Sequence, residues 1–116
     1  MTRNVITKDQ ALDAIKHGEF GRDVIASADR VAVIMTQDWC PQWADMRYWL
    51  DSIDHDDLDI YELVYNRTNF FDDFLSLKEG RWENGRIPYI RYYHKGMLVS
   101  ESNYVPQDKF IKLLGL

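Results

Sequence analysis

Short apolar runs alternate with helical spacings along the chain. Residues 30–36, RVAVIMT, form a mostly apolar and β-branched run, which is typical of a strand buried on both faces. From Pro41 onward, apolar side chains recur every three or four residues, which predicts a helix, and a proline suits the first helical position. Residues 60–66, IYELVYN, predict another strand, which follows an acidic loop at residues 52–59.

Two further helices are predicted, one before and one after these strands. In the first, Thr7 and Gln10 have the spacing of a capping box, and the apolar residues that follow lie on one helical face. In the second, residues 68–80, aromatic and apolar side chains recur at helical spacing, and Gly80 stands just past its end. Helix, strand, helix, strand and helix thus alternate over the first two thirds of the chain.

The last third of the chain predicts a β-hairpin and a closing helix. Residues 86–102 contain two alternating runs around a turn at residues 94–96, and residues 105–116 form a short helix with Pro106 near its start. Helices and strands that alternate at first, followed by a terminal hairpin, predict an α/β fold in which helices cover both faces of a mixed central sheet.

The composition fits one domain that spans residues 1–116. Hydrophobic residues make up 46% and charged residues 28%, which is the balance of a globular chain rather than a disordered one. No repeat, low-complexity tract or linker divides the sequence. We expect a monomer or a weak homodimer.

Charge and hydropathy limit which kinds of partner and which cellular location we expect for the protein. The net charge is −5, and the 14 basic residues are too scattered to form a face for phosphates, so we expect no nucleic acid partner. No run approaches the roughly 18 apolar residues of a membrane span, and the first residues lack the apolar segment of a secretory signal. We therefore expect no membrane association and a cytoplasmic location. The single cysteine excludes an intrachain disulfide and multi-cysteine zinc sites, and we expect no metal or other cofactor.

The candidate chemistry centres on residues 38–43, DWCPQW, which contain this cysteine. Cys40 precedes the helix that begins at Pro41, and the free N–H groups and the dipole of a helix start favour a thiolate. Cys40 is therefore a candidate catalytic nucleophile, and we expect an exposed or half-exposed side chain. The alternative for a lone cysteine is a buried and inert thiol.

This stretch, together with the later RIPYIRYYHKG, resembles the thioredoxin family, and the resemblance covers nearly the whole chain. Thioredoxins carry Trp-Cys-Gly-Pro-Cys at a strand-to-helix turn, and Trp39 and Cys40 match its first half. Their second motif is an apolar residue before a cis-proline, followed by an apolar strand and a turn, and Ile87 and Pro88 match it. The resemblance implies a thioredoxin-like fold, a cis Ile87–Pro88 bond and a site formed by the two motifs.

The departures from the thioredoxin pattern concern the redox chemistry. Trp43 stands in place of the second cysteine, Ile34 in place of a buried acid, and Pro41-Gln42 in place of the central Gly-Pro pair. In the family the acid serves proton transfer as the second thiol reacts. Without that thiol, a buried carboxylate would bring only a desolvation cost. The absence of the acid is therefore consistent with the absence of the second cysteine. The resemblance thus implies that dithiol turnover is absent.

Two functions are consistent with this interpretation. The first is thiol–disulfide exchange by a monothiol route, or a redox-responsive role, with a protein or peptide thiol or disulfide as the partner and glutathione as the resolving thiol. The alternative is a non-catalytic module that holds a peptide or partner protein in an apolar groove. For Trp43, packing into the core is the alternative to contact with a substrate. The expected substrate-binding residues are Trp39, Pro41, Gln42, Trp43, Ile87 and Pro88.

Overall fold

The computed structural model, which describes residues 1–116, contains one five-stranded sheet. Its strands are β1 (Thr2–Val5), β2 (Arg30–Thr36), β3 (Leu58–Val64), β4 (Tyr89–His94) and β5 (Met97–Ser102). They lie side by side in the order β1-β3-β2-β4-β5. Strands β1, β3 and β2 are parallel, whereas β4 runs antiparallel to β2 and β5 antiparallel to β4. The predicted mixed sheet with a terminal hairpin is confirmed.

Helices cover both faces of this sheet. They are α1 (Lys8–His17), α2 (Arg22–Ile25), α3 (Pro41–Leu50), α4 (Phe71–Leu75), which continues into the π-helix Ser76–Arg81, and α5 (Gln107–Leu114). One core cluster contains Ala11 of α1 and Phe74 of α4, and the other contains Met46 of α3 and Phe110 of α5. Alternate residues of β2 belong to the two clusters, because successive side chains of a strand point to opposite faces. None of these helices has the length and hydrophobicity that a membrane-spanning helix needs.

The boundaries of several elements differ from the sequence predictions. β1 and α2 were not predicted, because β1 is a four-residue polar edge strand and α2 is a single turn. The strand expected at residues 60–66 begins and ends two residues earlier, at Leu58–Val64. Gly80 does not follow its helix but lies within the π-helix, in which the amide of Trp82 donates to the carbonyl of Leu77 at 3.0 Å. Helical spacing alone does not reveal this change of hydrogen-bond pattern.

The capping box predicted at the start of α1 is present. The amide of Gln10 donates to Oγ1 of Thr7 at 3.1 Å, and the amide of Thr7 donates to Oε1 of Gln10 at 2.9 Å. At the other end, Gly18 adopts a φ of 78°, the left-handed conformation that closes a helix at low cost only in glycine. The indole Nε1 of Trp82 donates to the Gly18 carbonyl at 3.0 Å and so connects α1 with the segment that follows α4.

A buried arginine is the main polar group on the α1 face of the sheet. Arg91 in β4 is 5% exposed, and its guanidinium lies over the ring of Trp82 at 4.2 Å from the centroid. It donates to Glu19 Oε2 at 2.7 Å, to Tyr93 Oη at 2.9 Å and to Tyr89 Oη at 2.9 Å. A buried charge needs such a complete set of partners, because removal of one acceptor leaves an uncompensated donor.

We predict that Glu19→Ala lowers the free energy of unfolding by about 2 kcal/mol, because Arg91 and Tyr93 each lose an acceptor in a partly buried place. Urea denaturation followed by circular dichroism measures this change. The matched control is Asp56→Ala, which removes an exposed acid without a hydrogen bond or ion pair and should leave stability within about 0.5 kcal/mol. Equal stabilities of the two variants would contradict the structural role of Glu19.

Candidate functional site

The two matched motifs lie at the same edge of the sheet. Met35 in β2 pairs with Tyr89 in β4, which is the last pair of this antiparallel ladder. The chain leaves β2 there through residues 37–40, which we call the site loop, and enters β4 through residues 84–88, which we call the proline loop. The register therefore brings the two loops together at the start of α3.

Cys40 lies at the start of α3 but faces inward. It is the N-cap residue, with Pro41 at the first helical position, and its side chain accepts no capping hydrogen bond. Its residue exposure is only 5%, and its side chain belongs to the core cluster that also contains Ile34, Trp43 and Ile90. The expectation of an exposed or half-exposed thiol is therefore wrong. The apolar surface of the sheet beneath α3 draws the side chain inward.

Trp43 lies one helical turn after Cys40 and is 2% exposed. Its indole is part of the core, and the Arg47 guanidinium lies 5.7 Å from the ring centroid. The structure thus shows the packing alternative for Trp43, and the buried indole offers little surface for the expected contact with a substrate. Ile34, in place of the family's acid, is fully buried in the same cluster. The neighbourhood of the thiol is thus apolar.

Trp39 is the exposed aromatic residue of the site loop. Its residue exposure is 64%, and its indole Nε1 donates to Oε1 of Gln37 at 2.7 Å. The side-chain amide of Gln37 in turn reaches Tyr65 Oη at 3.5 Å. Pro41 and Gln42 are also exposed beside it. An aromatic ring held by a hydrogen bond loses less conformational entropy on binding than a free one.

Asp38 fixes the site loop to the loop after β3. Its amide donates to Oδ1 of Asn66 at 3.0 Å, and the side-chain amide of Asn66 donates back to Oδ1 of Asp38 at 2.8 Å. Nε of Arg67 donates to the other oxygen of Asp38. The hydrogen bond from Asn66, followed by that from Arg67, lowers the pKa of Asp38. No sequence pattern indicated this pairing, since Asn66 and Arg67 lie 28 and 29 positions away.

The proline loop is held by two polar side chains. The Ile87–Pro88 peptide bond is cis. Nζ of Lys78 donates to the carbonyls of Asn84 at 2.8 Å and Arg86 at 2.6 Å. Nδ2 of Asn103 donates to the carbonyls of Pro88 at 3.0 Å and Arg86 at 3.3 Å. The sequence patterns indicated neither Lys78 nor Asn103 as a site residue.

Ile87 lies between these held carbonyls and has a free main chain. Neither its amide nor its carbonyl takes part in a hydrogen bond within the chain. Its side chain is half-buried and packs against both core clusters, whereas Pro88 is buried. The backbone of Ile87 is therefore a donor and an acceptor that remain available at the sheet edge.

The face formed by these residues is open rather than grooved. The surface cavities of the structure lie elsewhere, and none is lined by Trp39, Cys40, Ile87 or Pro88. The largest apolar one, about 410 Å³, lies between β1, β3 and the start of α1 and includes Val5 of the edge strand β1. The expected apolar groove is thus not preformed.

Solved thioredoxin structures resemble this chain over nearly its whole length. A mutant thioredoxin from Halobacterium salinarum has a TM-score of 0.68 at 16% identity and covers 97% of this chain and 88% of its own. Spinach chloroplast thioredoxin F, short form, has a TM-score of 0.67 at 20% identity, with coverages of 98% and 91%. Oxidized Arabidopsis thaliana thioredoxin O1 has a TM-score of 0.69 at 11% identity, with coverages of 99% and 96%.

These comparisons show that the chain has the thioredoxin-like fold that its motifs predicted. No family model and no curated protein matches the sequence. The structural likeness at 11–20% identity concerns the fold alone. The function has to be argued from the site residues of this chain.

We predict that Cys40 in the folded protein reacts with iodoacetamide at least about tenfold more slowly than in the unfolded chain, because its side chain is buried. Mass spectrometry of samples quenched over time, with and without denaturing urea, measures both rates. Glutathione alkylated in the same tubes is the control for the effect of urea on the reagent. A native rate equal to the unfolded rate would show that the thiol is accessible.

Proposed function

We propose that this protein binds an extended segment of a partner protein at the edge formed by the site loop and the proline loop, without dithiol chemistry. The observation that carries the proposal is the free main chain of Ile87 between carbonyls that Lys78 and Asn103 hold in place. An extended peptide that pairs with this amide and carbonyl adds a short strand to the structure, as in other β-augmentation complexes.

The side chains around Ile87 suit such a partner. Trp39 supplies a large exposed ring whose orientation is fixed by Gln37. Pro41 and Gln42 are exposed at the start of α3. Rigid aromatic residues are frequent energetic centres of interfaces, whereas main-chain pairing is independent of sequence. We therefore assign recognition of the partner's side chains to Trp39, Pro41, Gln42 and the exposed part of Ile87, with Pro88 as the support of the loop.

Burial of Cys40 favours binding over catalysis as the main function. A thiol that is 5% exposed offers little surface to a disulfide, and Trp43 cannot resolve a mixed disulfide. The chain also lacks any second cysteine. We place the protein, on this proposal, in the cytoplasm and keep a monomer or weak homodimer as the expected state.

Monothiol exchange is the second candidate, and the position of Cys40 at the N-cap of α3 favours it. After local opening, the Cys40 thiolate attacks one sulfur of a protein or peptide disulfide. A bond forms between these two sulfurs, and the other partner sulfur leaves as a thiolate with the electron pair. A glutathione thiolate then attacks the partner sulfur of the mixed disulfide, and Cys40 leaves as a thiolate. The attacked partner sulfur ends in a disulfide with glutathione.

We predict that displayed eight-residue peptides selected on the immobilised protein bind it through Trp39. For a synthetic peptide from that selection, Trp39→Ala should weaken affinity about 30-fold, which corresponds to about 2 kcal/mol for the loss of a central aromatic residue. Fluorescence anisotropy of the labelled peptide measures the dissociation constants. The matched control is Tyr48→Ala, because Tyr48 is a 92% exposed aromatic residue of α3 that lies about two turns after the start of this helix. Equal affinities of the two variants would contradict the proposed surface.

We predict that the wild-type protein reduces 2-hydroxyethyl disulfide in the presence of glutathione only slowly, and that Cys40→Ser removes whatever rate exceeds the glutathione background. A coupled assay with glutathione reductase and NADPH measures the turnover. A fast, Cys40-dependent rate would make monothiol exchange the better function. A rate equal to that of Cys40→Ser would leave peptide binding as the sole candidate.

A further inference from the structure

Lys78 is the most completely buried charged side chain of the structure. It lies in the π-helix Ser76–Arg81 and has a residue exposure of 0%. Lysine is rarely buried without partners, because loss of hydration disfavours the ammonium form. The hydrogen bonds of Lys78 therefore indicate which part of the structure this buried charge stabilises.

The partners of Lys78 belong to the proline loop. Its Nζ donates to the carbonyl of Arg86 at 2.6 Å and to the carbonyl of Asn84 at 2.8 Å, and lies 3.5 Å from Oδ1 of Asn84. Oδ1 of Asn84 also accepts from the amide of Arg86 at 3.1 Å and from Nδ2 of Asn103 at 3.0 Å. One ammonium thus holds the main chain immediately before Ile87, and Asn103 completes the same network.

No ordinary secondary structure holds this loop. β4 begins only at Tyr89, and the main-chain hydrogen bond of the loop to the rest of the chain runs from the amide of Asn84 to the carbonyl of Lys78 at 2.9 Å. The carbonyl of Arg86 has side-chain donors alone, Lys78 and Asn103. Without the ammonium, Arg86 keeps the hydrogen bond from Asn103 to its carbonyl at 3.3 Å and the one from its own amide to Oδ1 of Asn84 at 3.1 Å. Lys78 therefore supplies the shortest contact that holds the main chain immediately before Ile87.

We propose that Lys78 is the positioning residue of the binding site, which fixes the proline loop so that the main chain of Ile87 faces the partner. This inference rests on the proposed binding function for its purpose, but the effect on the loop itself can be measured without any partner. Lys78 does not touch the partner and acts through the carbonyls of Asn84 and Arg86.

The strength of the hydrogen bonds from Lys78 to the proline loop depends on the protonation of its amine. Burial lowers the pKa of Lys78 to about 8, and the adjacent Glu79 opposes this shift. The other group that faces Nζ is the ring of Tyr89, at 5.8 Å from its centroid, and burial raises the pKa of that phenol so that it stays neutral. Above pH 8 the amine keeps two hydrogens for three acceptors and loses its charge, so the network weakens.

The contribution of Lys78 to global stability should change in the opposite direction over this pH range. Because the folded pKa of Lys78 lies below its ordinary value of 10.5, the unfolded chain binds more protons between pH 8 and 10.5. The contribution of Lys78 to stability therefore rises with pH in this window. Loosening of the proline loop above pH 8 would then not reflect partial unfolding of the protein.

The test is an NMR titration of the ¹⁵N-labelled full chain from pH 7 to pH 9.5 without any ligand. It uses Cys40→Ser as the background, which removes the one thiol of the chain. We expect the amide signals of Gly85, Arg86 and Ile87 to shift with a common midpoint near pH 8. Adding Lys78→Met should abolish this midpoint and lower the heteronuclear NOE of these amides, whereas the sheet amides remain unchanged.

Lys109→Met is the matched control, since Lys109 is an exposed lysine of α5 without a hydrogen bond or ion pair, and it should retain the midpoint. If Lys78→Met does not fold, the titration with Lys78 present decides alone. Loop amides that neither titrate nor change their NOE in Lys78→Met would overturn the proposal.

Peptide binding separates this inference from the proposed function. For a peptide selected on the wild-type protein, Lys78→Met should weaken binding about tenfold, and Lys109→Met should leave it unchanged. If no peptide is selected but the loop titrates as expected, the proposed function fails and the positioning role of Lys78 stands. If a peptide binds Lys78→Met and the wild type equally, the positioning role fails and the binding function stands.

Discussion

The packing of Trp43 into the core decides what chemistry the start of α3 can support. Its indole is 2% exposed in the cluster that also contains Cys40 and Ile34, at the helical position where a dithiol site needs its second sulfur. An indole neither resolves a mixed disulfide nor gains from a carboxylate beneath it, and an ionised acid in place of Ile34 would carry a desolvation cost that nothing offsets. Apolar packing therefore extends up to the thiol, and the thiol becomes part of the core.

Polar contacts order the surface above this apolar core. Asp38 connects the site loop with Asn66 and Arg67, and Lys78 with Asn103 holds the proline loop. Neither network contacts the thiol through a hydrogen bond. Both fix main-chain segments at the edge of the sheet, which is the requirement of a preorganised binding surface rather than of proton transfer.

The sequence predicted the elements whose signals are local. The apolar run of β2, the spacing of α3 and the capping box of α1 each depend on a few neighbouring residues, and the two thioredoxin-like motifs supplied the topology that connects them. The exposure of Cys40 was predicted wrongly, because the N-terminal position of a residue in a helix does not determine which way its side chain turns. That direction follows from how α3 packs on β2 and β4, which the spacing of residues in the sequence does not reveal.

The hydrogen-bond partners of the site loop and the proline loop were likewise not indicated by any sequence pattern. Lys78 lies in a π-helix that the sequence did not indicate and contacts residues six to eight positions later. Asn103 and Asp38 find partners at separations that no short motif covers.

The burial of Lys78 supports a functional role for the proline loop. A buried ammonium is costly for folding, as its lowered pKa indicates, and an apolar side chain of similar length would fill the same space without that cost. The contacts that offset this cost order the residues before Ile87, whose own amide and carbonyl stay unpaired. The cost is understandable if the loop has to meet a partner in one fixed conformation, which is how preorganisation lowers the entropy cost of binding.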